Sequence, residues 1–140
     1  MKNIKIVFWL LVANFLLVLG NIFVPVLQDI FQGTFLFLLP MAILFLMGVL
    51  LVFLVRKEEV TGKLKGYLLL TGGGGAGFFL GSVLHNLFYA LAIVSADIAG
   101  LKIIFEILHG TFFLIAVIAC PLGFLVGMIG SACLLRSKKL

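Results

Sequence analysis

Residues 35–55, FLFLLPMAILFLMGVLLVFLV, contain no charged or polar side chain and decide the fold class. A helix that crosses the hydrocarbon core of a bilayer needs about 20 consecutive apolar residues. Three further stretches meet that length, at about residues 4–27, 66–94 and 103–135. These runs lack the alternation of barrel strands, and a chain in lipid must bond its own backbone groups. We therefore predict an all-α fold, an integral membrane four-helix bundle, with residues 1–140 forming a single transmembrane domain.

The composition excludes an ordinary soluble domain. Hydrophobic residues make up 64% of the chain and charged residues 11%, whereas about a quarter of the residues in typical globular chains are charged. A water-soluble fold built from this chain would expose large apolar patches. The net charge of +5 could indicate nucleic-acid binding, but the positions of the basic residues explain it without such a partner. The lipid bilayer is the partner that the composition predicts.

The positions of the basic residues predict the orientation of the chain. Nine of the ten fall on one side of the predicted spans, namely Lys2, Lys5, Arg56, Lys57, Lys63, Lys65, Arg136, Lys138 and Lys139. Only Lys102 falls on the other side. The positive-inside rule then places both termini in the cytoplasm, with the spans in a prokaryotic plasma (inner) membrane. The basic clusters are short and mixed with Glu58 and Glu59, so they predict no specific lipid site.

Small residues predict which helices pack most closely. Helices in lipid associate where small side chains let two backbones approach, and such residues recur at about four-residue intervals on the third and fourth spans. They are Gly73, Gly77 and Gly81 on the third span, and Ala116, Cys120, Gly123, Gly127 and Ser131 on the fourth. We predict a tight antiparallel hairpin of these spans, whereas the first two spans carry few such positions. Four consecutive glycines at residues 72–75 indicate either a very close approach or a soft stretch of helix.

Polar side chains inside the spans are the candidate functional residues, since ionisable groups in a bilayer are costly. Counting helical residues outward from the loop near residue 98 places His85 and His109 at similar depth, and Glu106 shares a helix face with His109. The candidate polar or ligand-binding cluster is His85, Asn86, Glu106, His109 and Asn21. No catalytic constellation can be assembled from the chain, so we assign no catalytic residue and expect a non-enzymatic role.

Several interpretations of this cluster stay open at this point. The side chains could form interhelical or interfacial hydrogen bonds near the outer boundary of the membrane. His85 and His109 could ligate a b-type haem, or could join Glu106 in a metal site. The Glu–His pair could also form the outer mouth of a proton or cation pathway, although no ionisable residue continues that route inward.

Three strings in the second half of the chain carry a family resemblance. They are GYLLLTG at residues 66–72, LHNLFYA at residues 84–90 and ACPLGFLVG at residues 119–127. These strings resemble those of small prokaryotic four-span membrane proteins. The resemblance implies a four-span fold and makes His85, Asn86 and Pro121 notable positions. It implies no activity, cofactor or substrate.

The combination of small-residue helix faces and an incomplete chemical site predicts a protein that acts by association. We expect a homo-oligomer or an accessory subunit of a larger membrane assembly. One alternative is a channel or transporter protomer for a small solute or ion, which would need several copies to build a pore from so few spans. The other alternative is a haem-binding or redox membrane subunit that uses His85 and His109.

Overall fold

The computed structural model describes residues 1–26, 28 and 38–137. The elements in chain order are α1 (Lys2–Phe23), α2 (Leu38–Lys57), α3 (Gly62–Val94), α4 (Ala99–Leu114), a π-helical turn (Ile115–Ala119) and α5 (Cys120–Ser137). Because α4, the π-helical turn and α5 follow one another without a break, the described residues form four helices long and apolar enough to cross a membrane. The all-α class is therefore confirmed, and the four helices fit a multi-pass membrane protein.

Three helix boundaries differ by about four residues from the predicted spans, and one of them is the start of α3, at Gly62 rather than near residue 66. α1 ends at Phe23 rather than near residue 27, because Pro25 disfavours the α-helical region for the residue before it. Val24 accordingly has φ −100° and ψ 112°. The last long helix begins at Ala99 rather than near residue 103. The predicted start of the second span at residue 35, and most of the predicted joint at residues 28–34, lie outside the described residues.

Both ends of the described chain lie at one end of the bundle. The amino group of Met1 forms an ion pair with Glu58, which follows α2. Lys5 of α1 lines the same cleft as Arg136 of α5. We call this the basic end, since it carries Lys2, Lys5, Arg56, Lys57, Lys63, Lys65 and Arg136. The turn between α3 and α4 lies at the opposite end, which we call the hairpin end.

Consecutive glycines let α3 receive a different neighbour on each face. Successive helical residues point about 100° apart, so Gly72 and Gly74 lie on nearly opposite sides of α3. A methyl group added at Gly72 would lie 2.8 Å from the carbonyl oxygen of Gly48 on α2. A methyl group added at Gly74 would lie 2.8 Å from the backbone of Cys120 and of Phe124 on α5. The glycine run is therefore a place of close backbone approach to two helices at once.

The small-residue faces differ from the predicted ones in two respects. Gly73 lies on an exposed face of α3, and an added methyl group there would meet no other atom of the described chain within 4 Å. Gly74 takes the place expected for Gly73. The second span was expected to contribute little, yet Gly48 packs directly against α3, where its added methyl group would lie 2.6 Å from the carbonyl oxygen of Gly72.

The remaining predicted small residues lie at the interface of α3 with the last long helix. An added methyl group at Gly81 would lie 3.1 Å from the Cβ of Ala116, and one at Gly77 would lie 2.7 Å from the Sγ of Cys120. Gly123 faces the side chain of Leu70, and an added methyl group at Gly127 would lie 2.6 Å from the backbone nitrogen of Thr71. Ser131 is fully buried. These positions form the close antiparallel pair that the spacing predicts.

The π-helical turn at Ile115–Ala119 precedes Pro121, the residue at which a kink is expected. A proline has no N–H to donate to the carbonyl group four residues earlier, and its ring collides with that group in a regular α-helix. The backbone instead widens, and the N–H of Cys120 bonds to the carbonyl oxygen of Ile115, five residues back. Ala116 and Cys120 face α3 from the two sides of this local change.

Candidate functional site: a reciprocal histidine pair

His85 and His109 lie opposite one another on the α3–α4 hairpin. His85 is nine residues before the end of α3 at Val94, and His109 is ten residues after the start of α4 at Ala99. Because an α-helix rises about 1.5 Å per residue, equal counts from the turn bring the two residues to one level. Gly81 and Ala116 bring the two backbones close just below them. The similar depth that the sequence predicts is what the structure shows.

The two imidazoles form reciprocal hydrogen bonds across the hairpin. The Nδ1–H of His85 donates to the carbonyl oxygen of His109 at 3.1 Å, and the Nδ1–H of His109 donates to the carbonyl oxygen of His85 at 3.2 Å. The rings stack with centroids 4.1 Å apart and planes 23° from parallel. Since a carbonyl oxygen can only accept, both Nδ1 atoms must carry hydrogen. Nε2 is then the nitrogen of each ring that remains to bind a proton or a ligand.

Aromatic side chains surround this histidine pair. The ring of Phe113 lies 5.2 Å from that of His85, and the ring of Tyr89 lies 5.2 Å from that of His109. Phe88 of α3 stacks on Phe105, which lies on the turn side of His109, and on Phe112, which lies on the side away from the turn. These contacts all join α3 to the last long helix. The histidine pair is therefore one layer of an aromatic seam that holds the hairpin together.

The other predicted site residues do not join the histidine pair through hydrogen bonds in the described part of the chain. The Nδ2 of Asn86 donates to the carbonyl oxygen of Ser82 on its own helix, and Asn86 is exposed. Glu106 forms a 3.8 Å ion pair with Lys102 one turn away and is also exposed. Asn21 is buried on α1. Among the described residues the predicted cluster therefore divides: Asn86 lines a cleft with His85, Glu106 lines another with His109, and Asn21 lines neither.

The two histidines border different clefts. His85 lines a cleft of about 470 Å³ together with Leu38 at the start of α2, Ser82 and Phe113. His109 lines a second cleft, of about 460 Å³, together with Tyr89, Lys102 and Glu106. The hairpin can therefore present one imidazole to each of two separate surfaces, and Leu38 of α2 lies at the level of the histidine pair.

The geometry of the pair does not fit a haem ligated by both histidines. Two axial ligands must approach the iron from opposite faces of the porphyrin, which then lies between the two rings. Here the rings lie face to face in direct contact, and their Nδ1 atoms bond to backbone. Within residues 1–26, 28 and 38–137, no group of three or more His, Cys, Asp or Glu side chains is placed to hold a metal ion. The pair is arranged to hold two helices together.

Several contacts between helices were not predicted from the sequence. The Nδ2 of Asn14 on α1 donates to the carbonyl oxygen of Pro40 on α2 at 2.9 Å, and Phe15 stacks on Phe124 with centroids 4.0 Å apart. Buried polar residues in the described chain are Asn21, Thr71 and Ser131, none of them charged. A lone glycine in a run of large apolar residues, as at Gly48, is the signal that could have located the α2–α3 contact.

Compared with models of protein families, with curated proteins and with solved structures, the chain matches none of them.

Proposed function

We propose that the protein acts by association, through the part of the α3–α4 hairpin that extends beyond the histidine pair. The observation that carries this proposal is that α4 buries none of its 16 residues. Its exposed side chains include Leu101, Ile103, Ile104 and Ile107, which are 42%, 56%, 52% and 63% exposed. An apolar surface of this kind is typical of a contact with another protein.

Helix lengths explain why lipid tails alone do not cover this surface. The hydrocarbon core of a bilayer is about 30 Å thick. α3 has 33 residues, or about 50 Å. The part of α3 beyond Lys63 and Lys65, residues 66–94, is about 44 Å long and would need a tilt of about 47° to fit inside this core, whereas membrane helices tilt by up to about 40°. The hairpin end therefore reaches the headgroups or the water, where exposed isoleucine and leucine need a protein neighbour.

A second copy of the chain is the partner that we propose. Two copies in one membrane present the same apolar hairpin at the same level, and identical patches can cover each other in an isologous contact. The small-residue faces support this choice indirectly, because the contacts of α3 with α2 and α5 use them inside one subunit. The surface left over for assembly is the one on α4.

The proposal is tested by counting subunits in lipid nanodiscs, by native mass spectrometry or stepwise photobleaching. We expect oligomers for the unchanged protein and a shift toward monomers for Ile103→Ala/Ile107→Ala. Each isoleucine-to-alanine replacement removes about three methylene equivalents from a side chain that is already about half buried. The two replacements together should therefore weaken association by about 2 kcal/mol, or about thirtyfold.

The matched control is Leu46→Ala/Leu50→Ala on the exposed face of α2, which has the same four-residue spacing. This variant should assemble like the unchanged protein. A strictly monomeric unchanged protein would refute self-association. If such a monomer instead retained another membrane protein, and Ile103→Ala/Ile107→Ala released it, the accessory-subunit alternative would be the correct one.

We also propose that the basic end faces the cytoplasm of a prokaryotic cell. The structure describes eight of the ten basic residues, and seven of these eight lie at the basic end. The other two, Lys138 and Lys139, lie outside the described residues. A reporter that folds only in the cytoplasm, fused after residue 140, should be active. A reporter active only outside the cytoplasm should be inactive at the same position, and the reverse result would contradict this orientation.

A further inference from the structure

A cleft at the basic end combines residues from the two ends of the chain. It has a volume of about 430 Å³ and lies between the first turns of α1 and the last turns of α5. Its lining consists of Lys5, Trp9, Ala132, Cys133, Leu135 and Arg136. Lys5 and Trp9 are four residues apart and so share one face of α1, while Cys133 and Arg136 are three apart and share one face of α5.

The charged side chains that line the cleft are both basic. Lys5 and Arg136 are the basic side chains of its lining, and no carboxylate of the described residues lines it. Glu58, at the same end of the bundle, forms an ion pair with the amino group of Met1. Lys5 is half-buried, whereas Arg136 is exposed. A long basic side chain can lay its carbon stem on apolar surface and still present its charge to a ligand.

The rest of the lining is suited to lipid rather than to a soluble anion. Ala132 and Leu135 are apolar, and Cys133 is a small side chain with little polarity. Trp9 is 54% exposed, and tryptophan is enriched where the headgroups meet the hydrocarbon core. The cleft is therefore basic at its outer part and apolar along its walls, at the depth where a phospholipid places its phosphate above its acyl chains.

We infer that this cleft binds an anionic phospholipid, such as phosphatidylglycerol or cardiolipin. The phosphate lies between the Lys5 ammonium and the Arg136 guanidinium, which can donate two parallel hydrogen bonds to it. The acyl chains follow the apolar walls formed by α1 and α5. Basic pockets between membrane helices bind anionic headgroups for the same reason. The site is independent of the proposed self-association, which uses the opposite end of the bundle.

Trp9 provides a direct test, because it is the single tryptophan of the chain and lines the cleft. The protein is reconstituted in phosphatidylcholine vesicles that contain either brominated phosphatidylglycerol or brominated phosphatidylcholine at equal mole fractions, and quenching of Trp9 fluorescence is measured. We expect the anionic lipid to quench more strongly. A basic side chain near a membrane surface contributes about fivefold to anionic lipid affinity, so Lys5→Gln/Arg136→Gln should lower the preference by about twenty- to thirtyfold.

The control removes two charges from the same end of the bundle without touching the cleft. Lys63 and Lys65 are both exposed and do not line it, so Lys63→Gln/Lys65→Gln should keep the preference of the unchanged protein. Lys5→Arg/Arg136→Lys keeps the charge and should also keep it, which distinguishes lost binding from damaged folding.

Three results would overturn the assignment. Equal quenching by the two brominated lipids in the unchanged protein would show that the cleft has no anionic preference. A preference that falls equally in both glutamine variants would show a general surface charge effect. Loss of the preference on addition of millimolar inorganic phosphate would show that a soluble anion, and not a phospholipid, occupies the cleft.

Discussion

Two adjacent glycines on α3 allow a sharp test of the packing. Gly73→Ala and Gly74→Ala are the same chemical change at neighbouring positions of one helix. A methyl group at Gly73 would meet no other described atom within 4 Å, whereas one at Gly74 would lie 2.8 Å from both the carbonyl oxygen of Cys120 and the backbone nitrogen of Phe124. The obstructing atoms at Gly74 are backbone, which cannot move aside by a rotation of a side chain.

The expected magnitudes follow from these distances. Replacing a helical glycine by alanine stabilises a helix by up to about 1 kcal/mol where the methyl group is free. We expect Gly73→Ala to show that gain or to be neutral. At Gly74, ordinary van der Waals separation requires α5 to move away by roughly 0.6–1 Å, and overpacking of this kind costs about 1–3 kcal/mol. The free energies of unfolding of the two variants should therefore differ by about 1–4 kcal/mol, with Gly73→Ala the more stable of the two.

The free energy of unfolding can be measured for both variants in mixed detergent micelles, by titration with a denaturing detergent and far-ultraviolet circular dichroism. Thermal melting in the same detergent provides a second measurement. Because the two proteins differ only in which residue carries one methyl group, effects on membrane insertion or on hydrophobicity cancel. Equal stabilities, or a Gly73→Ala variant less stable than Gly74→Ala, would show that the α3–α5 contact described above is rotated by one residue or absent.

Three other substitutions test separate contacts by the same unfolding measurements. His85→Phe removes both the donor to the His109 carbonyl oxygen and one stacked imidazole. We expect the free energy of unfolding to fall by about 0.6–1.5 kcal/mol. A double-mutant cycle with His109→Phe that gives no coupling would contradict the reciprocal pair. Gly48→Leu should prevent α2 from reaching Gly72, so this variant should unfold at a lower denaturant concentration than a variant with a leucine substitution on the exposed face of α2. Unchanged stability would place Gly48 in lipid. Ser131→Ala should stabilise the protein by about 1 kcal/mol. The reason is that the Ser131 hydroxyl is buried and has no hydrogen-bond partner among the described residues. A loss of stability would reveal a partner for this hydroxyl.

The parts of the fold that follow from local patterns could be predicted from the sequence. Long apolar runs identify the four membrane-crossing helices, and counting from the turn places His85 and His109 at one level. Both inferences depend only on the rise of an α-helix and on where apolar residues occur. Four-residue spacing likewise identifies the interface at Gly77 and Gly81, because small side chains at that interval lie on one face of a helix.

Rotation of a helix about its own axis could not be predicted in the same way. In the run at residues 72–75 every position is glycine, so composition does not distinguish the face toward α5 from the exposed face. The choice between Gly73 and Gly74 is made by what lies opposite, at Cys120 and Phe124. The cleft of Lys5 and Arg136 is a stronger case, since it joins the two ends of the chain and has no local pattern.

The reciprocal bonds of the histidine pair would help to keep the exposed hairpin end ordered, as the proposed contact surface requires. α4 has no fully buried side chain, so its position depends on the contacts that its half-buried residues make with α3. The two Nδ1–H donors bridge the hairpin at the level of Leu38 of α2, and Phe88 and Phe105 continue that bridge toward the turn. A surface fixed before association loses less conformational entropy when a partner binds it. The same two histidines that the sequence marks as a site for chemistry are thus better suited to hold the hairpin in a shape that another subunit can bind.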